Sequence, residues 1–149
     1  MRDKDGVNAV LLICEAAAWY ARKGMTLGDA IDVLYDQYGY YRNGLCSFAF
    51  GGAEGMAKMQ SLMDGLRSNP PAEIGGKAVC RAVDYESDGT ALPKANVLEY
   101  RLAGGEKFIV RPSGTEPKIK TYLSALASSA AEAEREEAAL KRAAEEMMK

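Results

Sequence analysis

Phe108-Ile109-Val110-Arg111-Pro112-Ser113-Gly114-Thr115-Glu116-Pro117-Lys118-Ile119-Lys120 is the stretch on which the fold turns. An apolar run ends in a tight loop, and a second run, Lys118–Leu126, leaves it at once. Such a strand–loop–strand predicts an antiparallel pair. Pro112 and Pro117 stiffen the loop, and Gly114 allows close backbone approach to a ligand. Upstream, Asn96–Leu102 and Lys107–Val110 read as strands joined through Gly104-Gly105, a hairpin signature. Lys77–Tyr85, with Val79, Val83 and Tyr85 on alternate positions, is another strand, closed by the turn signal Ser87-Asp88-Gly89. Tyr41–Phe50 alternates loosely into Gly51-Gly52 and reads as a strand, whereas Ala53–Arg67 has helical spacing and stops at Asn69-Pro70-Pro71. Ser129, with Glu132 three residues on, opens a last helix in capping-box spacing. Its apolar positions are mostly alanines, which predicts a solvated helix packed lightly on the sheet. Short turns between consecutive strands define an α+β class, an antiparallel sheet with helices on one face.

The first residues do not fit that scheme. Val7–Arg22 reads as a helix with a broad apolar face, ending near Gly24. Thr26, followed by Asp29, starts a second helix with Leu27, Ala30, Ile31 and Leu34 as its stripe. These helices have no strands of their own and read as the tail of a preceding domain. The division expected is a helical tail over 1–39 and a second domain over 40–149.

Composition narrows the chemistry. The 149 residues are 48% hydrophobic and 27% charged, enough apolar material for a real core. Formal net charge is −2, so an anion must be bound by a few aimed donors and not by a global field. There is no histidine, which excludes histidine-based acid–base chemistry, and the widely spaced Cys14, Cys46 and Cys80 form no CxxC pair. Buried, reduced thiols are expected at all three. No apolar run approaches the ~20 residues that span a bilayer. Asn8 and Glu15 spoil the likeness of the first residues to a signal peptide, so a soluble cytoplasmic protein without metal ligands of its own is expected.

The loop around Gly114 carries the candidate chemistry. Arg111 offers a planar fork of donors matched to two phosphate oxygens. Ser113 and Thr115 add hydroxyls, the backbone N–H groups around Gly114 suit an anion-binding nest, and Lys118 and Lys120 share one face of the exit strand. The same residues also make a generic turn with Arg111 paired to Glu116, and the residues alone leave both readings open. Without histidine to activate it, Ser113 reads as a hydrogen-bond donor and not a nucleophile.

Arg111-Pro112-Ser113-Gly114-Thr115-Glu116-Pro117-Lys118 closely resembles the phosphate-binding loop in the last domain of the alpha-D-phosphohexomutases. Arg2-Asp3-Lys4-Asp5-Gly6 is similar to the segment just after the family's sugar-recognition loop in the third domain. Tyr38-Gly39-Tyr40-Tyr41, Asn69-Pro70-Pro71 and Asn96-Val97-Leu98-Glu99-Tyr100 resemble the phosphoglucomutase branch. The resemblance runs in order through essentially the whole chain.

It implies a four-domain enzyme that interconverts hexose 1-phosphate and hexose 6-phosphate through a bisphosphate. In that family a phosphoserine of the first domain transfers the phosphoryl group, an Asp-rich loop of the second holds Mg2+, and a Gly-Glu-Glu loop of the third reads the sugar. The fourth, a TATA-binding-protein-like domain, grips the phosphate that is not transferred. No Ser-His-Asn or Asp-Gly-Asp-Gly-Asp run occurs here. The resemblance therefore implies no catalytic residue and no Mg2+ ligand in this chain, and a fragment inert by itself. Carried over by position, Arg111, Ser113, Gly114 and Thr115 are the phosphate grip and Lys120 a further contact. Lys4 resembles an active-site lysine, beside the plainer reading of a solvated charge. The implied partners are a sugar phosphate and the N-terminal domains of the same enzyme, with no membrane and, given the acidic net charge, no nucleic acid. Alternatives are a phosphomannomutase or phosphopentomutase fragment, or an autonomous sugar-phosphate or anion-binding module.

Overall fold

The computed structural model describes residues 4–149. Arg2 and Asp3, which begin the second family-like motif, lie outside the described residues. The chain divides into two compact units, one ending at Gly39 and the other Tyr40–Lys149.

The first unit is a helix pair, α1 (Gly6–Ala21) and α2 (Leu27–Tyr38). Asp5 caps α1 by accepting the Asn8 N–H at 3.0 Å. Gly24 closes it, its N–H donating to the Ala21 carbonyl while the Met25 N–H reaches back to that of Tyr20. Thr26 and Asp29 form a reciprocal capping box on α2. No residue of α1 is buried, and of α2 only Ala30 is.

The second unit is α+β. Six strands, β1 (Tyr40–Ala49), β2 (Glu73–Ile74), β3 (Lys77–Asp84), β4 (Leu98–Leu102), β5 (Lys107–Pro112) and β6 (Lys118–Ala127), form one antiparallel sheet in the order β1-β6-β5-β4-β3-β2. Helices α3 (Gly55–Ser68) and α4 (Ala130–Met147) supply the rest of its core. Alternation assigns the faces. Ile119, Thr121, Leu123 and Ala125 of β6 and Phe108 and Val110 of β5 are buried with Met59, Met63 and Leu140 of the helices. The intervening Arg111, Lys120 and Tyr122 are exposed on the open face. Tyr100 puts its ring in the core and donates its hydroxyl to the Leu66 carbonyl of α3 at 3.2 Å, and burial pushes that phenol up to about 12. From the last turn of α3, Arg67 holds Asp84 at 2.9 Å and Asn96 at 2.8 Å, tying both ends of the β3–β4 connection to the helix.

Four features depart from the sequence reading. The strand β2 goes unread, although Gly75 (φ 60°) and Gly76 (φ 81°) form the two-residue turn that joins it to β3. Helix α4 is closely packed, because alanines let a helix approach a sheet. Ala133 and Ala144 are 0% exposed, and a Cβ on Gly44 of β1 would sit 3.1 Å from the Glu137 carboxylate. The capping box of α4 is offset, since Ser129 takes the Glu132 N–H but the Glu132 carboxylate takes the N–H and hydroxyl of Ser128. The cysteines are free but not buried. Cys14 is exposed on the uncovered α1, Cys80 is exposed near the sheet edge where β2 is only two residues long, and Cys46 is half-buried.

Candidate functional site

The loop Ser113–Pro117 joins β5 to β6 and is closed by two backbone bonds, Ser113 N–H to Lys118 O at 2.8 Å and Lys118 N–H to Glu116 O at 2.7 Å. The Pro117 carbonyl accepts the Phe50 N–H at 2.8 Å, which ties the loop to the end of β1. A Cβ on Gly55, at the start of α3, would collide with the Phe50 backbone carbonyl and then meet Pro117 Cβ at 3.2 Å, so a glycine there lets the helix start close against Phe50 and the loop.

Closure at Ser113–Lys118 sets the register that follows. Arg111 stands directly opposite Lys120, with Ile109 opposite Tyr122 one step further on. In a hydrogen-bonded antiparallel pair the two Cα atoms are about 5.5 Å apart, so two cations project side by side from the open face. Like charges placed opposite each other are unfavourable for a sheet. Neither Arg111 nor Lys120 makes an ion pair with any described residue. Glu116, weighed in the sequence as a partner for Arg111, instead pairs with Lys118 at 3.0 Å.

Arg111, Ser113, Gly114, Lys120 and Tyr122 line one cleft of about 170 Å³, whose wall is completed by Pro112, Glu116 and Lys118. Thr115 lies in the same loop, exposed, its N–H 3.5 Å from the Ser113 hydroxyl. The nest expected around Gly114 needs a left-handed residue, and among the described residues none in the loop has positive φ. A Cβ on Gly114 would meet no atom within 4 Å. Neither backbone strain nor crowding in the fold demands a glycine there.

Tyr122 is the cleft residue that reading from the sequence missed. Its signal was the period of two that placed Lys118 and Lys120 on one face, extended by one more step. Lys4 is an exposed residue of the first unit, ahead of α1. No group of three or more Cys, Asp or Glu side chains that could hold a metal ion occurs among the described residues. The donor set of the cleft, cations and hydroxyls around one carboxylate already paired to Lys118, does not fit Mg2+. No described helix is long and apolar enough to cross a membrane.

Residues 77–149 match the family model described as phosphoglucomutase/phosphomannomutase, C-terminal domain. A phosphoglucomutase of Staphylococcus haemolyticus is 40% identical over 83% of the chain, which spans 24% of that protein. A probable phosphomannomutase of Haemophilus influenzae is 35% identical over 91% of the chain, which spans 27% of it. Among solved structures, the open form of parafusin, a phosphoglucomutase from Paramecium, superposes with a TM-score of 0.62 over 97% of this chain and 27% of its own, at 18% identity. That likeness shows the fold. The chain belongs to the phosphohexomutase superfamily, and its second unit has the fold of the phosphoglucomutase C-terminal domain. It spans about a quarter of the length of the curated relatives it matches.

Proposed function

We propose that Tyr40–Lys149 grips the phosphate of a hexose phosphate that is not being transferred, as the substrate-phosphate domain of a mutase interconverting hexose 1-phosphate and hexose 6-phosphate through a bisphosphate. The observation that carries the reading is the cross-strand pair Arg111 and Lys120, two cations without a carboxylate partner among the described residues, at one cleft with Ser113 and Gly114. In this reading the Arg111 fork takes two phosphate oxygens, Lys120 adds a point charge, Ser113 and Thr115 donate hydroxyls, and Gly114 gives the ligand access to backbone N–H groups. The relatives are named for glucose and for mannose phosphates, so the proposal is of hexose phosphates as a class. Residues 1–39 are read as the tail of a preceding domain of the same enzyme, and Lys4 as a neighbour of the reacting centre only once that domain is complete. The family's Mg2+, where present, belongs to other domains, and no step here runs through it. The chain alone is proposed to give no turnover.

Calorimetric titration of the chain with glucose 6-phosphate tests the grip. A lost hydrogen bond to a charged group costs about 1.5–3 kcal/mol, so Arg111→Ala should weaken binding roughly tenfold or more. Arg111→Lys should recover only part of that, because an ammonium cannot reproduce the fork. In the full-length parent the same change should raise KM and lower kcat, since remote phosphate binding also positions the reacting hydroxyl. Folded Arg111→Ala protein that binds within twofold of the parent would refute the assignment.

A further inference from the structure

The strand β1 ends the sheet, and among the described residues it pairs with β6 alone. Its free edge follows from the hydrogen bonding. Phe50 N–H points to Pro117 of the β6 side, so by alternation Phe48, Cys46, Gly44 and Arg42 also face β6. Tyr41, Asn43, Leu45, Ser47 and Ala49 then direct their N–H and C=O groups away from the sheet. Their side chains all lie on the open face, and all five are exposed, Leu45 by 56% and Tyr41 by 45%.

Edge strands are ordinarily protected by charges, proline, bulges or shortness. This one has none of those devices on its outward residues. It is 10 residues long, its pairing with β6 runs without a register shift, it contains no proline, and the five outward residues are uncharged. Its one charge, Arg42, is turned to the helix side, where it holds Glu137 at 2.7 Å.

We propose that this edge pairs antiparallel with β1 of a second copy of the chain, joining two sheets into one across a two-fold axis at Leu45. One register uses all five outward residues, and it is self-complementary. Leu45 meets its own copy, Asn43 meets Ser47, and Tyr41 meets Ala49, which sets an apolar pair at the centre, a hydrogen-bonding pair beside it and a large residue against a small one at each end. No like charges oppose, since Arg42 falls across from Phe48. About ten new backbone hydrogen bonds would form. Because Ser47 is the neighbour of Lys120 in the register, Asn43 of the second copy would extend the row Arg111–Lys120–Ser47.

The test is sedimentation velocity of the 149-residue chain across roughly 1–500 µM, a range that brackets micromolar affinity. A concentration-dependent dimer is expected. Leu45→Lys places two ammonium groups face to face on the axis and should leave a monomer, with circular dichroism unchanged because the residue is exposed. Ser47→Pro removes an outward N–H without touching the β6 ladder and should do the same. A parent chain that stays monomeric throughout overturns the proposal. So does a dimer that both folded variants leave intact, which would place the association on another surface.

Discussion

Replacing Lys77 with methionine should destabilise the second unit far more than its position near a sheet edge suggests. Glu106, in the turn between β4 and β5, is 1% exposed. One of its carboxylate oxygens holds the Lys77 ammonium, while the other has no hydrogen-bond partner among the described residues. Lys77 also takes Glu136 of α4 at 2.9 Å, so a single cation serves two acids and pins helix to sheet. Methionine keeps most of the apolar stem and removes the charge. Breaking a buried pair in this way costs about 3–5 kcal/mol, because the remaining ion is left uncompensated. The lower end applies here, since the Lys77 side chain is 27% exposed and water can reach the vacated position. A loss of about 3 kcal/mol is a large share of the roughly 5–15 kcal/mol that holds a small domain, and it would lower Tm by more than about 10 °C. Replacing both partners, Lys77→Met with Glu106→Leu, should recover most of the loss, because an apolar pair of similar volume carries no desolvation cost. Urea unfolding followed by the NMR signals of the buried Tyr100 and Phe108 rings reads the second unit, whereas far-UV circular dichroism would add α1 and α2 and Trp19 lies in the first unit. A single variant within about 0.5 kcal/mol of the parent, or a double variant no better than the single, would refute the reasoning.

The hydroxyl of Thr121, 0% exposed and without a partner among the described residues, is a standing cost, so Thr121→Val should stabilise the unit by about 1 kcal/mol in urea melts, and a destabilised variant would show that the hydroxyl is satisfied. Burial alone would raise the Asp84 carboxyl, but the Ser87 hydroxyl, the Glu86 N–H and Arg67 outweigh it and hold the group below its ordinary range. That stability is present above the unfolded value of about 4 and is lost as pH falls through the folded value, so Asp84→Asn should flatten the acid limb of stability against pH. Hydrogen exchange should divide at Gly39, with slow amides in β4, β5 and β6 and faster exchange in α1, which buries no residue. Equal protection in both units would oppose it.

What the sequence made legible was mostly local. The β4–β5 hairpin, the β5–loop–β6 unit and the caps of α1 and α2 rest on neighbouring residues, and glycine, proline and threonine mark them where they stand. The pairing of β1 with β6 was not legible, because it joins segments some eighty residues apart and no local signal selects one edge over another. For the same reason β1 could be read as a strand but not as a free edge. The burial of α4 was misjudged because alanine reads as weakly apolar, whereas its small size is what allows close approach. Tyr122 was missed although the period of two that set Lys118 and Lys120 on one face reaches it in one more step. Glu106 gave no sign in the sequence of being buried, since its environment is made by Lys77, by Glu136 and by the hairpin itself.

At the cleft, two independent choices run against the interests of the fold. Placing Arg111 opposite Lys120 forgoes the roughly 0.2–1 kcal/mol that a compatible cross-strand pair contributes, and no described carboxylate relieves it. Gly114 adds the backbone entropy cost of a glycine where its φ and its surroundings would accept an alanine. Elsewhere in the same sheet cations also oppose each other, Arg101 facing Lys107 and Arg81, but there Glu99 holds Arg101 at 2.6 Å, while Lys77 is held by two acids and Arg42 by Glu137. Unrelieved cations and an unforced glycine, gathered at one cleft, are what the proposed site for a ligand outside the chain would require. The charge that would relieve Arg111 and Lys120 is negative, and the cleft between them is small and rimmed with hydroxyls. A phosphate meets each of those conditions.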